Sequence, residues 1–349
     1  MAAPNEVAAI RRAVVLAARG PVRGVNPRVG CGVLDGAGQV VGEGWHAGAG
    51  TAHAEVEALS DAGDRARGGT AVVTLEPCNH TGRTGPCVQA LLDAGIIRVV
   101  IASADPNPQA AGGAARLRAA GVDVQEGVLA GESARLNRRW LHAVSHGRPF
   151  VTWKFAATLD GRSAAADGSS RWITGEQART DVHRLRAEAD AVVVGTGTVL
   201  ADDPQLTVRD ASGSPIGSGE QPVRVVVGER ELPVGARVLD AAAPTAVLRT
   251  RDPHAVVADL FRRGVRHAWL EGGPTLAAAF WRAGLVDEVI AYLAPALLGA
   301  GPNAVADLGI ATMAGTARLQ LADVARLGED LRLTLRPAAP VTTPVPGKD

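Results

Sequence analysis

Residues 70–95 read TAVVTLEPCNHTGRTGPCVQALLDAG. The run TAVVTLEP predicts a buried strand, and the apolar spacing from Pro86 to about Asp93 predicts a helix. Between them lie Cys78 and Cys87, two of the three cysteines in a chain of 349 residues, with eight residues separating them. A disulfide, a metal site and coincidence all fit that spacing taken alone. The strand–loop–helix order places the pair within an α/β layer.

Working upstream, HAGAGTAHAEVEAL carries His53 and Glu55 at the start of a second helical pattern. Residues two apart do not share a helix face, so both are expected at the helix start, looking off its end. One imidazole and two thiolates hold zinc and leave a position for water. A carboxylate that is not a ligand then moves protons, and Glu55 fits that task. His53, Cys78, Cys87 and Glu55 are thus the parts of a zinc hydrolytic deaminase site. His-Ala-Glu alone is a common tripeptide; the ordered set carries the reading. Cys87 opens a helix, where thiolate is favoured over thiol. Cys31, in VGCGVL, reads as a small buried hydrophobe, and His46 as structural. Eight residues between the cysteines exceed the two of the general deaminase pattern. The longer loop offers His80, Thr81, Arg83 and Thr84 to a polar or phosphorylated substrate.

Farther out, a helix near 5–19 precedes a hairpin, RVGCGVL and QVVGEGW, turning at residues 35–38. Strands IRVVIAS and VDVQEG alternate with helices near 111–120 and 130–143, implying a mostly parallel sheet. From Phe150 the alternation restarts with PFVTWKFAATL, DAVVVG, VRVVVG, TAVLRT, RHAWLEGG and VDEVIAYLAP. Helices are expected near 175–188, near 253–263 and from Pro274. The expected division is 1–146, 147–337 and a disordered tail, 338–349, with 211–221 a flexible loop. No apolar run is long enough for a membrane span, and the N-terminus does not read as a secretory signal. Formal charge is zero, with 36 basic and 36 acidic residues, which gives no global field for nucleic acid. Three cysteines do not make a disulfide framework, and a cytoplasmic setting is expected. Lys154 and Lys348 are the two lysines; Lys154 sits in an apolar strand, where a charge needs a partner or a task.

The second half has no GxGxxG after a strand. WLEGGPTLAAAF does run strand, glycine turn, helix, so backbone N–H groups near Gly272 and Gly273 could meet a phosphate. A plain tight turn fits equally. VVVGTGTVLADDP reads as a strand followed by a glycine turn, and Asp202, Asp203, Arg186 and Arg209 are candidates for a sugar phosphate.

NPRVGCGVL, HAGAGTAHAEVEAL, LEPCNHTGRTGPC and DPNP resemble the deaminase half of the bifunctional riboflavin-biosynthesis deaminase–reductase family. KFAATLDGR, SSRWITGEQAR, LRAEADAVVVGTGTVLADDPQLTVR, EGGPTLAAAF and VDEVIAYLAPALLG resemble its reductase half. The resemblance spans about residues 5–337. It implies an N-terminal cytidine-deaminase-like three-layer α/β/α domain and a C-terminal dihydrofolate-reductase-like α/β domain. It also implies hydrolytic removal of the 2-amino group of 2,5-diamino-6-(5-phosphoribosylamino)pyrimidin-4(3H)-one, then reduction of the ribosyl chain by NADPH. Carried over by position, the zinc ligands are His53, Cys78 and Cys87 and the proton shuttle is Glu55. Asn26, His80 and Asn107 would touch the deaminase substrate. Ser170, Arg186, Leu206, Arg209 and Glu271 would touch the reductase substrate. Ala156, Trp172, Thr198, Asp202 and the turn Gly273, Pro274, Thr275 would touch NADPH. Lys154 is expected to polarise the glycosylamine, with Asp202 the second candidate for proton transfer. The resemblance further implies a homo-oligomer, dimer or tetramer, acting on a small molecule, not on nucleic acid or membrane. Gly85 and Gly228 depart from the family, which often has proline and aspartate there. A nucleic-acid base deaminase with an appended NADPH-binding domain, or a structural zinc site beside an interaction module, are the competing readings.

Overall fold

A computed structural model describes residues 1–80, 85–210 and 212–338; Thr81, Arg83, Thr84 and the expected tail beyond 338 lie outside the described residues. The chain forms two compact units, Met1–Gly147 and the part from Arg148 onward.

The first unit runs α1 (Pro4–Ala17), β1 (Gly30–Leu34), β2 (Val40–Trp45), α2 (Ala54–Ala62), β3 (Thr70–Leu75), α3 (Cys87–Asp93), β4 (Arg98–Ser103), α4 (Gly113–Ala119), β5 (Asp123–Glu126) and α5 (Ala130–His146). Its sheet has the order β2-β1-β3-β4-β5. The β3–β4 and β4–β5 pairs are parallel, but β1 is antiparallel to both neighbours. The sheet is therefore less parallel than expected, because the hairpin folds back on the edge of β3. Alternate strand residues face opposite ways. Val73, Val99 and Ile101 pack with α2, α3 and α4; Val72 and Val100 pack with Ile10 of α1. Each such buried aliphatic side chain contributes about 1.5–3 kcal/mol. α5 runs to His146, three residues past the expected end, and stops at Gly147 in the left-handed region.

The packing of α2 on β2 is unusually close. A Cβ on Gly44 would run into the Ala54 carbonyl and stand 2.5 Å from Ala58 N. Glycine there lets the helix start sink against the sheet, which sets the depth of His53 and Glu55.

The second unit runs β6 (Phe150–Thr158), α6 (Glu176–Arg186), β7 (Ala191–Gly195), α7 (Thr196–Asp202), β8 (Val223–Val227), β9 (Thr245–Leu248), α8 (Pro253–Arg262), β10 (His267–Leu270), α9 (Pro274–Arg282), β11 (Glu288–Ala294), β12 (Leu319–Leu327) and β13 (Asp330–Pro337). Its order is β12-β13-β11-β6-β10-β7-β8-β9, parallel from β11 to β9. Val151 and Trp153 join the core under α8 and α9; Val192, Val194 and Trp269 join the core under α6 and α7. The glycine turn expected after DAVVVG is instead a helix, α7, that starts directly after β7. The β12–β13 hairpin has no counterpart in the sequence reading. Leu321, Val324 and Leu331 are exposed on it, so the usual in–out alternation does not mark a core face. Among the described residues, no helix is long and apolar enough to cross a membrane.

Candidate functional site

In the first unit the ends of three elements converge. His53 is the N-cap residue of α2, yet its side chain makes no capping bond. Its Nδ1 lies 3.2 Å from Cys87 Sγ and 3.5 Å from Cys78 Sγ. The three ligating atoms all lie within 4.8 Å of one another. Cys87 opens α3, and Cys78 sits in the loop after β3. One nitrogen and two sulfurs in a small, mostly buried cluster suit zinc.

The Cys87 backbone N–H at the start of α3 donates to Cys78 Sγ over 3.4 Å. The Cys78 thiol is pushed down to about 4, first by a hydrogen bond from Cys87 and then by one from His53. Cys87 is pushed up, chiefly because it keeps the proton it donates to Cys78 and is buried. The first N–H of α3 thus serves the Cys78 sulfur.

Glu55, the second residue of α2, is 3 % exposed. Burial pushes its carboxyl up to about 7, against smaller opposing effects from a backbone N–H and His53. A carboxyl poised near neutrality is suited to moving protons at physiological pH.

Glu76 holds the loop that carries Cys78. Its Oε1 accepts from Ala114 N at 2.9 Å and Gly112 N at 3.2 Å, and its Oε2 from Asp105 N at 3.3 Å. This ties the 105–114 segment, including Asn107, to the cysteine loop, and Ala110 packs on both cysteines. Asn107 is itself turned inward on its loop, its Oδ1 accepting from Gln109 N at 3.1 Å. The sequence reading gave Glu76 no role; a carboxylate directly after a buried strand was the available signal. Asn26 Nδ2 meets His46 Nε2 at 3.0 Å, and His46 Nδ1 meets the Ala52 carbonyl at 3.1 Å. The His46 ring also lies edge-on to His53, with centroids 5.3 Å apart, so Asn26 is linked to His53 through His46. His80 is exposed.

In the second unit a cleft of about 1160 Å³ opens beside α6 and is lined by Lys154, Ala156, Ser170, Trp172, Arg186, Thr198, Asp202, Leu206, Arg209 and Glu271. That volume exceeds what one small ligand needs and has room for substrate and dinucleotide together. Gly273, Pro274 and Thr275 are not among its lining residues; Gly273 N–H reaches it by donating to Thr198 Oγ1 at 3.1 Å.

A mostly enclosed charge cluster lines the cleft. Arg186 grips Glu271 in a two-pronged pair, Nε to Oε1 at 3.1 Å and Nη2 to Oε2 at 2.6 Å, and Trp269 Nε1 donates to the same carboxylate. Burial would push the Glu271 carboxyl up, but Arg186 and Lys154 outweigh it and hold it at about 2. Lys154 is pushed down by burial, with Glu271 opposing and Arg186 reinforcing. Its partner is therefore the Glu271 carboxylate's field, and its Nζ also stands 6.0 Å from the Tyr292 ring centroid. His183, absent from the sequence reading, lines the same cleft and is pushed down to about 4 by burial and then Arg186.

Leu206 has φ of +57°, left-handed backbone that costs an ordinary residue about 1–2 kcal/mol. Both flanking carbonyls are pinned. Fully buried Arg224 donates to the Gln205 carbonyl at 3.2 Å, and Arg186 to that of Thr207 at 2.7 Å.

Comparison with known proteins joins the two sites. The description "Cytidine and deoxycytidylate deaminase zinc-binding region" matches residues 4–103, and "RibD C-terminal domain" matches residues 149–333. The Mycobacterium tuberculosis riboflavin biosynthesis protein RibD is 53 % identical over 311 residues, 89 % of this chain and 91 % of that protein. The solved structure of Acinetobacter baumannii RibD superposes with a TM-score of 0.87 at 40 % identity, over 96 % of this chain and 99 % of that one. The Thermotoga maritima diaminohydroxyphosphoribosylaminopyrimidine deaminase/5-amino-6-(5-phosphoribosylamino)uracil reductase gives 0.82 at 31 % identity, over 96 % and 99 % of the two chains. The first unit is a cytidine-deaminase-like domain and the second a reductase domain with the dihydrofolate-reductase-like fold. On these grounds the chain belongs to the RibD family of bifunctional deaminase–reductases of riboflavin biosynthesis.

Proposed function

We propose that residues 1–146 hydrolyse the 2-amino group of 2,5-diamino-6-(5-phosphoribosylamino)pyrimidin-4(3H)-one. Residues 147–337 then reduce the ribosyl chain of the product with NADPH, giving 5-amino-6-(5-phosphoribitylamino)uracil. The observation that carries the reading is the meeting of His53, Cys78 and Cys87 beside the buried carboxyl of Glu55.

His53, Cys78 and Cys87 would hold zinc, which when bound lowers the pKa of a water to about 7 and supplies hydroxide at neutral pH. Glu55 takes the proton released by that water. It returns it to the pyrimidine ring nitrogen, and a later one to the departing ammonia. Asn26, His80 and Asn107 orient the ribotide.

In the second site NADPH supplies the hydride. Arg186 and Glu271, clamped together, and Leu206, Arg209 and Ser170 position the sugar phosphate. Ala156, Trp172, Thr198, Asp202 and the Gly273-Pro274-Thr275 turn position the cofactor. Lys154 donates charge toward the glycosylamine or ring-opened imine, and Asp202 assists proton transfer at the sugar. Alignment of donor and acceptor carbons, at about 3–3.5 Å, provides most of the rate. The protein is read as a cytoplasmic homo-oligomer, dimer or tetramer, without nucleic-acid partners.

The test is incubation of purified protein with the diaminopyrimidine ribotide. Ammonia is expected without NADPH, and oxidation of added NADPH only after ammonia appears. Ammonia release from RNA or DNA and none from the ribotide would favour a nucleic-acid base deaminase instead.

A further inference from the structure

The reductase reading requires NADPH, but no residue assigned so far distinguishes it from NADH. We propose that Arg230 is the residue that selects NADPH, by receiving its 2′-phosphate. The inference rests on the reductase reading above.

Arg230 follows β8, in the sequence VVVGERE. Its guanidinium lies against the first turn of α7: a Cβ on Gly197 would stand 2.7 Å from Arg230 Nη2. Thr198, one residue further, lines the cleft and accepts the Gly273 N–H. Arg230 does not itself line the cleft; it stands against Gly197, one residue from Thr198, which does.

Strand order makes this side the adenosine end. The nicotinamide must lie near Ala156 on β6, beside the Lys154 and Glu271 cluster. Three strand spacings separate β6 from β8 in the order β6-β10-β7-β8. At about 4.8 Å each, they place the end of β8 about 14 Å away, roughly the span of an extended dinucleotide. In open α/β sheets, ligands lie across the carboxyl ends of the strands. In Rossmann folds, a different dinucleotide fold, an acidic residue there binds the ribose 2′-hydroxyl of NADH, and an arginine accommodates the 2′-phosphate of NADPH; the same charge logic applies to a phosphate here.

The local charges agree. Glu229 is paired with Arg251 at 2.8 Å, and Glu231 with Arg249 through two bonds of 2.7 and 2.9 Å. The two acids of the loop are each satisfied by an arginine from the end of β9. Arg230, exposed and between them, has no ion pair or hydrogen bond among the described residues. At Gly228, φ is +137° and a Cβ would stand 2.6 Å from Thr196 Oγ1. Glycine lets the loop close onto α7.

The experiment compares dissociation constants of NADPH, NADH, 2′,5′-ADP and 5′-ADP for the wild-type chain, Arg230→Gln and Arg230→Lys. A charge-assisted bond to phosphate leads us to expect NADPH and 2′,5′-ADP to weaken about ten- to a hundredfold in Arg230→Gln. NADH and 5′-ADP should change less than about twofold. Arg230→Lys should recover part of the loss, and ammonia release should be unaltered in both variants. Undiminished preference for NADPH in Arg230→Gln overturns the assignment to Arg230 while leaving the reductase reading intact. Equal loss of all four ligands also overturns it, since that marks a structural role. A wild-type chain that binds neither nucleotide overturns the reductase reading itself.

Discussion

At the scale of single residues, Glu55 separates a catalytic metal site from a structural one. Glu55→Gln keeps the three ligands and removes the proton carrier. It should retain zinc by atomic absorption and lose about 10²–10⁴-fold in ammonia release. Full deamination by that variant would remove the catalytic account. His183 and Glu271 make the pH dependence of stability specific. Burial and then Arg186 push the folded His183 ring down to about 4 from an ordinary 6.5, so between these values the unfolded chain binds a proton that the folded chain refuses. Stability should therefore fall as pH drops from 6.5 toward 4. Glu271, held at about 2 against 4.5, adds a second loss below about 4.5, since its ion pair is fully present only above that pH. In melting temperatures measured against pH, His183→Gln should flatten the upper limb; an unchanged slope would count against the assignment. Of these residues, His53, Glu55, Cys78 and Cys87 were legible because metal chemistry demands rare residue types in order. His183 was not, because nothing local distinguishes a histidine on α6 that faces a cleft from one that faces solvent.

At the scale of elements, the shape of the cleft depends on a loop held by a buried charge. Arg224 is 0 % exposed and donates to the carbonyls of Gln205, Asp240 and Ala243 as well as to the Asp240 carboxylate. Arg224→Met removes these bonds and leaves several buried carbonyls unpaired. It should cost the reductase unit roughly 3 kcal/mol or more, read as a lower unfolding midpoint, and raise KM for the ribotide through Leu206. A midpoint within a degree of wild type would show that the loop holds without it. Sequence periodicity found the buried strands well, since continuous apolar runs rich in β-branched residues, such as AVVVG at Ala191–Gly195, signal burial on both faces. It missed α7, where Gly195 and Gly197 flank the helix start and mimic a turn, and it missed β12–β13, whose side chains are largely exposed. The convergence of Glu76 on three backbone amides from 105–114 was equally invisible, because it is a long-range contact of one side chain.

At the scale of the whole molecule, the two sites belong to separate compact units, each with its own sheet and core. If the units act independently, Glu55→Gln and Lys154→Met fail at different steps. Lys154→Met should release ammonia normally and oxidise little NADPH. Mixing the two variants should restore the complete conversion, followed as ribitylaminouracil formed from the diaminopyrimidine ribotide. No recovery on mixing would mean that the intermediate must pass within one molecule or assembly. The isolation of Lys154 has a wider chemical consequence. The protein has two lysines, Lys154 and Lys348, so the α-amine and one tail residue are the other primary amines it carries. With its pKa lowered by burial, Lys154 has more free base at neutral pH than an ordinary lysine. Acylating or aldehyde reagents therefore meet two other amines, and the extent of modification at Lys154 itself, read by peptide mass spectrometry, becomes a gauge of how open the reductase cleft is.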